Sequence, residues 1–245
     1  MLSVSVVTSS IGRPSLARTI HAIKGQTYKG PLKHYVFING PEYHAAGRSI
    51  LDEHPDVHVC YLPEPATVGD VPGPESVYAA APFLVKADVL FICNDDDVYE
   101  PEHVESLVTL IEKHDLAWAY SLRKAVDMEG RFIAEDDCES LGHWPCIYDD
   151  KSFLVDCSSY AIRRDLYVRV SWAWYQSPVG DRSFLKALNI SRAPYGCSGH
   201  STVRYCLQPH GGVDAAFFEN NNKLTKQAYP DGYPWRKSTV FKARS

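Results

Sequence analysis

Three consecutive carboxylates, Asp95, Asp96 and Asp97, follow an apolar run over residues 89–93. Such a run is typical of a strand that is covered on both faces in a parallel sheet. In open α/β sheets, ligands bind beyond the carboxyl ends of these strands. Carboxylate oxygens favour a hard divalent cation, Mg²⁺ or Mn²⁺, which usually also holds substrate phosphates. The alternative is a solvated acidic turn before a helix near Pro101, because helix N-termini stabilise acidic residues.

The composition limits what else the chain can be. Its 245 residues are enough for one large α/β domain or two small ones. Lys and Arg total 25 against 30 Asp and Glu, and this net charge of -5 argues against nucleic acid as a partner. The sequence predicts no signal segment before the first strand, and no apolar run approaches the roughly 18 residues of a membrane helix.

The cysteines indicate a reducing compartment. There are seven, an odd number, and no two of them form a Cys-x-x-Cys pair. This usage predicts reduced, mostly buried thiols and argues against a zinc site. Together with the composition, it predicts a soluble protein in the cytoplasm, without a transmembrane segment.

The apolar run belongs to a series of alternating strands and helices. This order predicts right-handed crossovers and a mainly parallel sheet. Residues 63–74 contain four prolines and two glycines, which predicts a loop. The next helix has Pro82 near its middle, which is unfavourable because proline lacks an N–H. The predicted strands are residues 2–8, 34–38, 57–62 and 89–93, and the predicted helices are residues 16–23, 45–53, 75–86 and 101–114.

After residue 115 the pattern becomes mixed. Residues 127–130 predict the turn of an antiparallel hairpin. Residues 135–151 are polar and interrupted by Gly and Pro, which indicates a functional loop. The residues after 212 form a polar tail, which we expect to be loosely packed or folded over the site. Strands are predicted over residues 117–122, 153–162 and 202–207, and a helix over residues 180–188.

Five short motifs must be considered together. They are the first strand with Thr8, the turn Arg13-Pro14, the helix end Gln26-Thr27-Tyr28, Asn39-Gly40 after the second strand, and the tip from Asn94 to Asp97. In this order and spacing they resemble the glycosyltransferases of family 2. The similarity covers about residues 3–115 and continues more weakly at residues 156–159, 180–181 and 203–205.

The resemblance implies an α/β protein with the GT-A fold. Helices would flank a mainly parallel central sheet, with a small antiparallel part in the C-terminal half. Residues 1–245 would form a single domain, in which residues 1–115 bind a nucleotide sugar. Residues 116–245 would bind the acceptor and end in the tail.

The resemblance also implies a nucleoside-diphosphate sugar as donor, with a UDP-sugar favoured and a GDP-sugar possible. Thr8, Ser9 and Arg13 would line the base and ribose. Asn39 stands where the family usually places an acid against the base, and its amide can pair with a pyrimidine edge. Asp70, in the loop after the third strand, would add a nucleotide contact. The structural alternatives are a solvated turn at Arg13, an Asn-Gly turn and a loop cap at Asp70.

For the metal, the resemblance implies Mn²⁺ or Mg²⁺ on the acidic tip, where it would neutralise the diphosphate leaving group. Asp95 would face both the ribose and the metal, and Asp97 would bind the metal. Strand alternation places these two on one side and Asp96 on the other, although the extra acid leaves the register open by one residue, so Asp96 is also a donor-binding candidate. His210 is a candidate ligand, with His200 as its competitor.

The predicted general base is Asp181, because the family places an acid at a helix start across from the donor. It would take the proton of the acceptor hydroxyl and give inversion. This chain has Gly180-Asp181 where the family usually has Glu-Asp, and a helix N-terminal carboxylate without a catalytic role is the alternative. Rival bases are Asp156 and the pair Asp136 and Asp137.

The acceptor would be a glycan or another hydroxyl compound. Trp144 could stack on an acceptor sugar, as could Trp172 and Trp174, with core packing as the alternative for each. The predicted function is a metal-dependent inverting glycosyltransferase, a hexosyltransferase of glycan or polysaccharide synthesis. A sugar-phosphate nucleotidyltransferase, a metal-dependent phosphohydrolase or nuclease, and a non-catalytic nucleotide-sugar-binding module are the other readings.

Overall fold

The computed structural model describes residues 1–149, 152–176, 180–209 and 213–242. Its strands are β1 (Val4–Ser10), β2 (Leu32–Ile38), β3 (His58–Tyr61), β4 (Thr67–Val68), β5 (Val71–Pro72), β6 (Val89–Ile92), β7 (Val98–Tyr99), β8 (Trp118–Val126), β9 (Phe132–Glu135), β10 (Tyr160–Arg163), β11 (Tyr195–Cys206) and β12 (Thr239–Phe241). Its helices are α1 (Leu16–Lys24), α2 (His44–Leu51), α3 (Glu75–Leu84), α4 (His103–His114), α5 (Arg164–Val170), α6 (Gly180–Ser191) and α7 (Ala215–Ala228).

The main sheet has the strand order β12-β11-β8-β10-β6-β1-β2-β3, with β7 paired to β11 and β9 to β8. The strands β3, β2, β1 and β6 run parallel to one another, as alternating strands and helices predicted. β10 runs antiparallel to both β6 and β8. The expected fold class, a GT-A sheet with an antiparallel part in the C-terminal half, is confirmed. β8 and β11 nevertheless pair in parallel.

β1 and β6 occupy the centre of the sheet, although only β6 is apolar throughout. Every residue of both strands is buried, because helices cover the sheet on each face. On one face α4 packs through Val104, Leu107 and Ile111. This is the stripe that its helical periodicity produces.

The proline inside α3 is accommodated by a specific contact. Pro82 cannot donate to the carbonyl of Tyr78, four residues earlier. The hydroxyl of Tyr167 donates to that carbonyl instead, at 2.9 Å. The helix therefore continues to Leu84, two residues short of the predicted end.

Two segments differ from the sequence prediction. Residues 153–162 were predicted as one strand, but only Tyr160–Arg163 pairs, because Asp156 caps a 3-10 turn through the backbone N–H of Ser158 at 2.8 Å. In the polar tail, Asp214 caps α7, and Phe218 and Trp235 are fully buried, so this part of the tail is packed rather than loose.

The hairpin predicted at residues 127–130 is present between β8 and β9, with Gly130 at φ +83. No described helix has the length and apolar composition that crossing a membrane requires.

Candidate active site

The strands β1, β2 and β6 end at the same edge of the sheet, and β1 lies between the other two. Crossovers leave from β1 in both directions here, which is where open α/β sheets bind ligands. A cavity of about 490 Å³ opens at this edge, and we call it the donor pocket. It is lined by Ser9, Ser10, Ile11, Arg13, Asn39, Glu42, Tyr43, Pro65, Pro72, Gly73, Pro74, Tyr78, Asn94, Asp95, Asp96, Tyr205, Cys206 and Gln208.

Asp95 and Asp96 face the donor pocket together. Arg13 Nη1 lies 3.1 Å from Asp95 Oδ1 and 3.1 Å from Asp96 Oδ2, so one guanidinium bridges both carboxylates. Ser10 Oγ donates to Asp95 at 2.7 Å, and Gln208 Nε2 donates to Asp96 at 2.8 Å. The alternation expected from a strand does not apply, because β6 ends at Ile92 and the acids lie in a turn.

Asp97 does not line the donor pocket and is 1% exposed. It accepts hydrogen bonds from Ser158 Oγ at 2.6 Å and from the backbone N–H of Cys206 at 3.4 Å. Burial, followed by the charge of Asp156, raises the pKa of the Asp97 carboxyl group well above its ordinary value. Its contacts attach the acidic turn to the rest of the protein. The expectation that Asp95 and Asp97 share one side is therefore wrong for this turn.

Asp95 and Asp96 are the residues that could hold a divalent cation. Burial raises the pKa of both carboxyl groups, and the charge of Asp95 raises that of Asp96 further, although Arg13 opposes both effects. Two carboxylates that share one guanidinium leave negative charge uncompensated, so an additional cation fits here. Among the described residues, no three His, Cys, Asp or Glu side chains form a metal-binding group. Substrate oxygens would have to complete the coordination, as is usual for Mg²⁺.

Two histidines were predicted from sequence as candidate metal ligands. His210 lies outside the described residues. His200 is exposed on β11 and does not line the donor pocket.

The predicted donor residues divide into two groups. Ser9, Arg13 and Asn39 line the donor pocket. Thr8 is fully buried, and its hydroxyl lies 2.9 Å from His34 Nε2. Its side chain therefore supports β1 structurally. Asp70 is exposed in the turn between β4 and β5 and does not line the pocket.

Asn39 shapes the wall of the pocket. Its Oδ1 accepts from the backbone N–H of Ala66 at 2.6 Å, and its Nδ2 donates to the carbonyl of Gly73 at 3.1 Å. Both ends of the amide are thus engaged by the loop between β3 and α3. The side chain holds this loop against the end of β2.

Several pocket residues were not predicted. Ser10 follows Ser9 at the end of β1 and could have been considered, because it lies on the same strand end. Tyr78 donates to Asn94 Oδ1 at 2.9 Å from within α3. Tyr205 and Gln208 come from the end of β11, and only the strand order shows that this end reaches the pocket.

Asp181 lies in the first turn of α6 and is partly buried. Its pKa is raised to about 8, first by desolvation and then by the charge of Asp156. The charges of Glu75 and Glu139 add to this increase, and Arg123 opposes it. Among the described residues Asp181 forms no ion pair. A carboxyl group with this pKa can exchange a proton near neutral pH.

The rival bases form ion pairs with arginine side chains. Arg123 donates through Nε to Asp136 at 2.7 Å and through Nη1 to Asp156 at 2.5 Å, and its Nη2 donates to Glu139 at 2.5 Å. Asp137 accepts from Trp235 Nε1 at 2.7 Å and from Arg236 Nε at 2.8 Å. We call Arg123 with Asp136, Glu139 and Asp156 the Arg123 cluster. Its members are held in buried or partly buried ion pairs, whereas Asp181 forms none among the described residues.

The family model described as Glycosyl transferase family 2 matches residues 5–165. This match covers more than half of the chain, including β1, β6 and the acidic turn. The chain belongs to glycosyl transferase family 2.

Solved structures agree with the fold of this family 2 protein. TarS 1-349 from S. aureus in complex with UDP has a TM-score of 0.60 at 13% identity, over 94% of this chain and 72% of that one. The complex of TarS 1-349 with UDP-GlcNAc has a TM-score of 0.62 at 12% identity, over 92% and 66%. A structure entitled S. aureus TarS has a TM-score of 0.62 at 12% identity, over 93% and 43%. At these identities the likeness shows the fold alone.

One curated relative is matched over a short segment. It is an uncharacterized protein from Haemophilus influenzae (strain ATCC 51907 / DSM 11121 / KW20 / Rd), 39% identical over 51 residues. The matched segment is 21% of this chain and 34% of that protein, so the similarity spans about a third of the relative.

Most of the tryptophans predicted as acceptor-binding candidates pack against other aromatic side chains of this protein. Trp144 is partly buried and packs against Trp235 and Phe241, with ring centroids at 6.1 Å and 5.7 Å. Trp174 is 1% exposed and stacks on Phe184. Trp172 is 53% exposed. Core packing therefore accounts for Trp174, whereas the partly buried Trp144 stays a candidate for acceptor binding.

Proposed function

We propose that the protein is a metal-dependent inverting glycosyltransferase. It transfers a sugar from a nucleoside-diphosphate sugar to an acceptor hydroxyl in glycan or polysaccharide synthesis. The observation that carries the proposal is the combination of two sites. The donor pocket presents Asp95, Asp96 and Arg13, and Asp181 provides a carboxyl group with a pKa of about 8 and without an ion pair among the described residues.

The donor is best explained as a UDP-sugar. Structures with this fold contain UDP and UDP-GlcNAc, which supports a uridine nucleotide. The pocket surface from Ser9 to Asn39 suits the nucleoside, and Arg13 suits the diphosphate because a guanidinium binds phosphate oxygens well. Arg13 would exchange part of its contact with Asp95 and Asp96 for the substrate.

The metal, Mn²⁺ or Mg²⁺, would be held by Asp95 and Asp96. We prefer this pair to Asp95 and Asp97, because Asp97 does not line the donor pocket and both of its carboxylate oxygens already accept hydrogen bonds within the protein. When bound, the cation neutralises charge that develops on the leaving diphosphate. Arg13 supplies a second positive charge at the same place.

Asp181 would act as the general base. The acceptor hydroxyl oxygen attacks the anomeric carbon, and its proton passes to the Asp181 carboxylate. The bond between the anomeric carbon and the diphosphate oxygen breaks, and its electron pair leaves with the nucleoside diphosphate. A base on the side opposite the leaving group gives inversion at the anomeric carbon.

We also propose that the two halves act as one domain. Residues 1–115 would bind the donor and residues 116–245 the acceptor, a glycan or another hydroxyl compound. The supporting observation is that β10, from the C-terminal half, pairs with β6 of the N-terminal half in the same sheet. The acidic turn is bonded to both halves, through Ser10 and Ser158.

The test is donor binding and turnover by the purified protein. We expect a UDP-sugar with Mn²⁺ to raise the thermal unfolding temperature and to release UDP slowly without an acceptor. A larger shift with a nucleoside triphosphate, together with diphosphate release from a sugar phosphate, would indicate a nucleotidyltransferase instead. Binding without any turnover, with Mn²⁺ and a range of acceptors, would indicate a binding module.

A further inference from the structure

Glu75 connects the donor pocket to the helix that carries Asp181. It begins α3, directly after Gly73 and Pro74, which line the pocket. Its carboxylate occupies the space that a Cβ at Gly73 would need. Its Cγ lies 3.0 Å from the position that a Cβ would take at Gly180, the residue before Asp181. Glycine at both positions makes room for the Glu75 side chain.

The environment of Glu75 lacks a compensating charge. The residue is partly buried, and desolvation raises the pKa of its carboxyl group. Within the described ranges, no Lys, Arg or His forms an ion pair with it, and no other side chain donates a hydrogen bond to it. Glu139 and Asp156 of the Arg123 cluster, by contrast, each bind a guanidinium nitrogen. A partly buried carboxylate without such a partner is costly, and this combination is a mark of functional sites.

We propose that Glu75 contacts the substrate and accepts a hydrogen bond from a hydroxyl group of the donor sugar. The proposal rests on the function proposed above. In glycosyl transfer with inversion, the anomeric carbon lies between the leaving diphosphate and the base. The sugar must therefore span from Asp95 and Asp96 to Asp181, and Glu75 reaches from the pocket wall to the start of α6 along this path.

The consequence is selection among donor sugars. A site that is built to bind a substrate hydroxyl discriminates strongly against an analogue that lacks it, because the polar group of the protein is then left unpaired. Glu75 would select donors that carry a hydroxyl, in the right configuration, at the ring position it faces. The nucleotide would contribute equally to the binding of accepted and rejected donors.

The experiment compares Glu75→Gln and Glu75→Ala with the wild-type protein and with Glu53→Gln. Glu53 is exposed and does not line the donor pocket, so it is a matched control. The substrate is whichever UDP-sugar gives the highest turnover with the wild type, together with its monodeoxy analogues. For Glu75→Ala we expect kcat/KM to fall roughly tenfold to hundredfold, as for loss of a charged hydrogen bond. For Glu75→Gln we expect a loss of roughly tenfold, because the amide oxygen still accepts but carries no charge. The Kd for UDP should stay within about twofold in both variants. The monodeoxy analogue that lacks the hydroxyl group bound by Glu75 should react equally well with the wild type and with Glu75→Gln.

A second readout is the pH dependence of transfer. The charge of Glu75 contributes to the raised pKa of Asp181, alongside Asp156 and Glu139 and against Arg123. Removing it in Glu75→Gln should move the acidic limb of the rate profile to lower pH. The shift reports the charge of Glu75 beside Asp181, and the monodeoxy analogues distinguish contact with the sugar from a role in the Gly73 wall alone. Because glutamine is nearly isosteric, this variant keeps the test valid even if Glu75→Ala does not fold.

Two results would overturn the proposal while leaving the proposed function intact. One is wild-type kcat/KM for every donor and an unmoved acidic limb in Glu75→Gln. The other is an increase in the Kd for UDP in Glu75→Gln that is as large as the fall in kcat/KM. Glu75 would then only support the shape of the donor pocket. A wild-type protein that neither binds nor turns over any nucleoside-diphosphate sugar would overturn the proposed function first, and the role of Glu75 with it.

Discussion

The Arg123 cluster and the carboxylates Asp181 and Glu75 lie close together, yet their electrostatic surroundings are opposite. Burial alone would raise the pKa of Asp136, but the charge and hydrogen bond of Arg123 lower it. At Asp181, burial and the charge of Asp156 raise the pKa to about 8, and Arg123 offsets only part of this. The same residue type is thus a permanent anion in one place and a group that exchanges protons in the other.

The difference shows how a family 2 protein can assign roles among many acids. A carboxylate that is paired with a buried guanidinium is held in position and stays ionised, which suits support of the fold. A carboxylate without a cation keeps its proton longer, which suits a base. The pair Asp95 and Asp96 is intermediate, because one guanidinium, that of Arg13, serves both carboxylates.

The largest effect is expected at Asp181. Asp181→Asn should lower transfer to the acceptor by roughly 10²–10⁴-fold, the usual contribution of a general base, while UDP affinity stays within about twofold. Asp165→Asn is a matched control, because Asp165 is also in the first turn of a helix but is exposed. Transfer assays with calorimetry of UDP binding would check this, and full activity of Asp181→Asn would move the base elsewhere.

Arg123 tests the structural side of the comparison. Arg123→Met leaves three carboxylates without their shared cation, so we expect the free energy of unfolding to fall by about 3–5 kcal/mol. Arg131→Met, in the exposed hairpin between β8 and β9, should change it by less than about 1 kcal/mol. Urea unfolding of both variants measures the difference. Equal stability would mean that the cluster does not hold the fold together.

Two substitutions distinguish the roles of Asp96 and Asp97 in the acidic turn. Asp96→Asn should weaken Mn²⁺-dependent UDP binding by roughly tenfold or more, as expected for loss of a charged contact, with little change in thermal stability. Asp97→Ala should lower the free energy of unfolding by about 1–3 kcal/mol, because it leaves the Ser158 hydroxyl and the Cys206 N–H without their acceptor. Calorimetry of UDP with Mn²⁺ and thermal melting of both variants distinguish the roles. The reverse pattern would restore Asp97 as the metal ligand.

The raised pKa of Asp181 also predicts a dependence of stability on pH. The folded protein binds this proton more tightly than the unfolded chain, so the stabilisation is complete below the ordinary value of 3.8 and is lost as the pH rises through about 8. Asp181→Asn should therefore match the wild type near pH 4 and be more stable at pH 9. Urea unfolding at the two pH values checks the sign. A difference that does not vary with pH would mean an ordinary pKa.

The smallest effect is expected at Asp70, outside both groups of acids. Asp70→Ala should change donor kcat/KM by less than about twofold, since an exposed side chain off the pocket adds little. Asn39→Ala, which frees the loop between β3 and α3, is the informative partner in the same assay. A large loss in Asp70→Ala would show that the hairpin turn closes over the donor.

Much of the N-terminal half could be predicted from its sequence. The apolar runs of β1 and β6 and the stripe of α4 are local patterns, and burial of one face or both produces them directly. Ser9, Arg13, Asn39 and the acidic turn follow strand ends, so their meeting at one edge follows from a parallel sheet. The orientation of Asp97 could not be predicted, because the strand ends at Ile92 and the turn no longer alternates.

The sequence by itself thus determined the family, the parallel core and the presence of an acidic site. Only the tertiary structure decided which acids act together. Arg123 on β8 meets Asp156 because β10 lies between β6 and β8, and Tyr205 reaches the donor pocket because β11 pairs with β8. Glu75 meets Gly180 across more than a hundred residues of chain. Such contacts depend on strand order and register, which hydrophobic periodicity does not encode, and they set the pKa values on which the proposed chemistry depends.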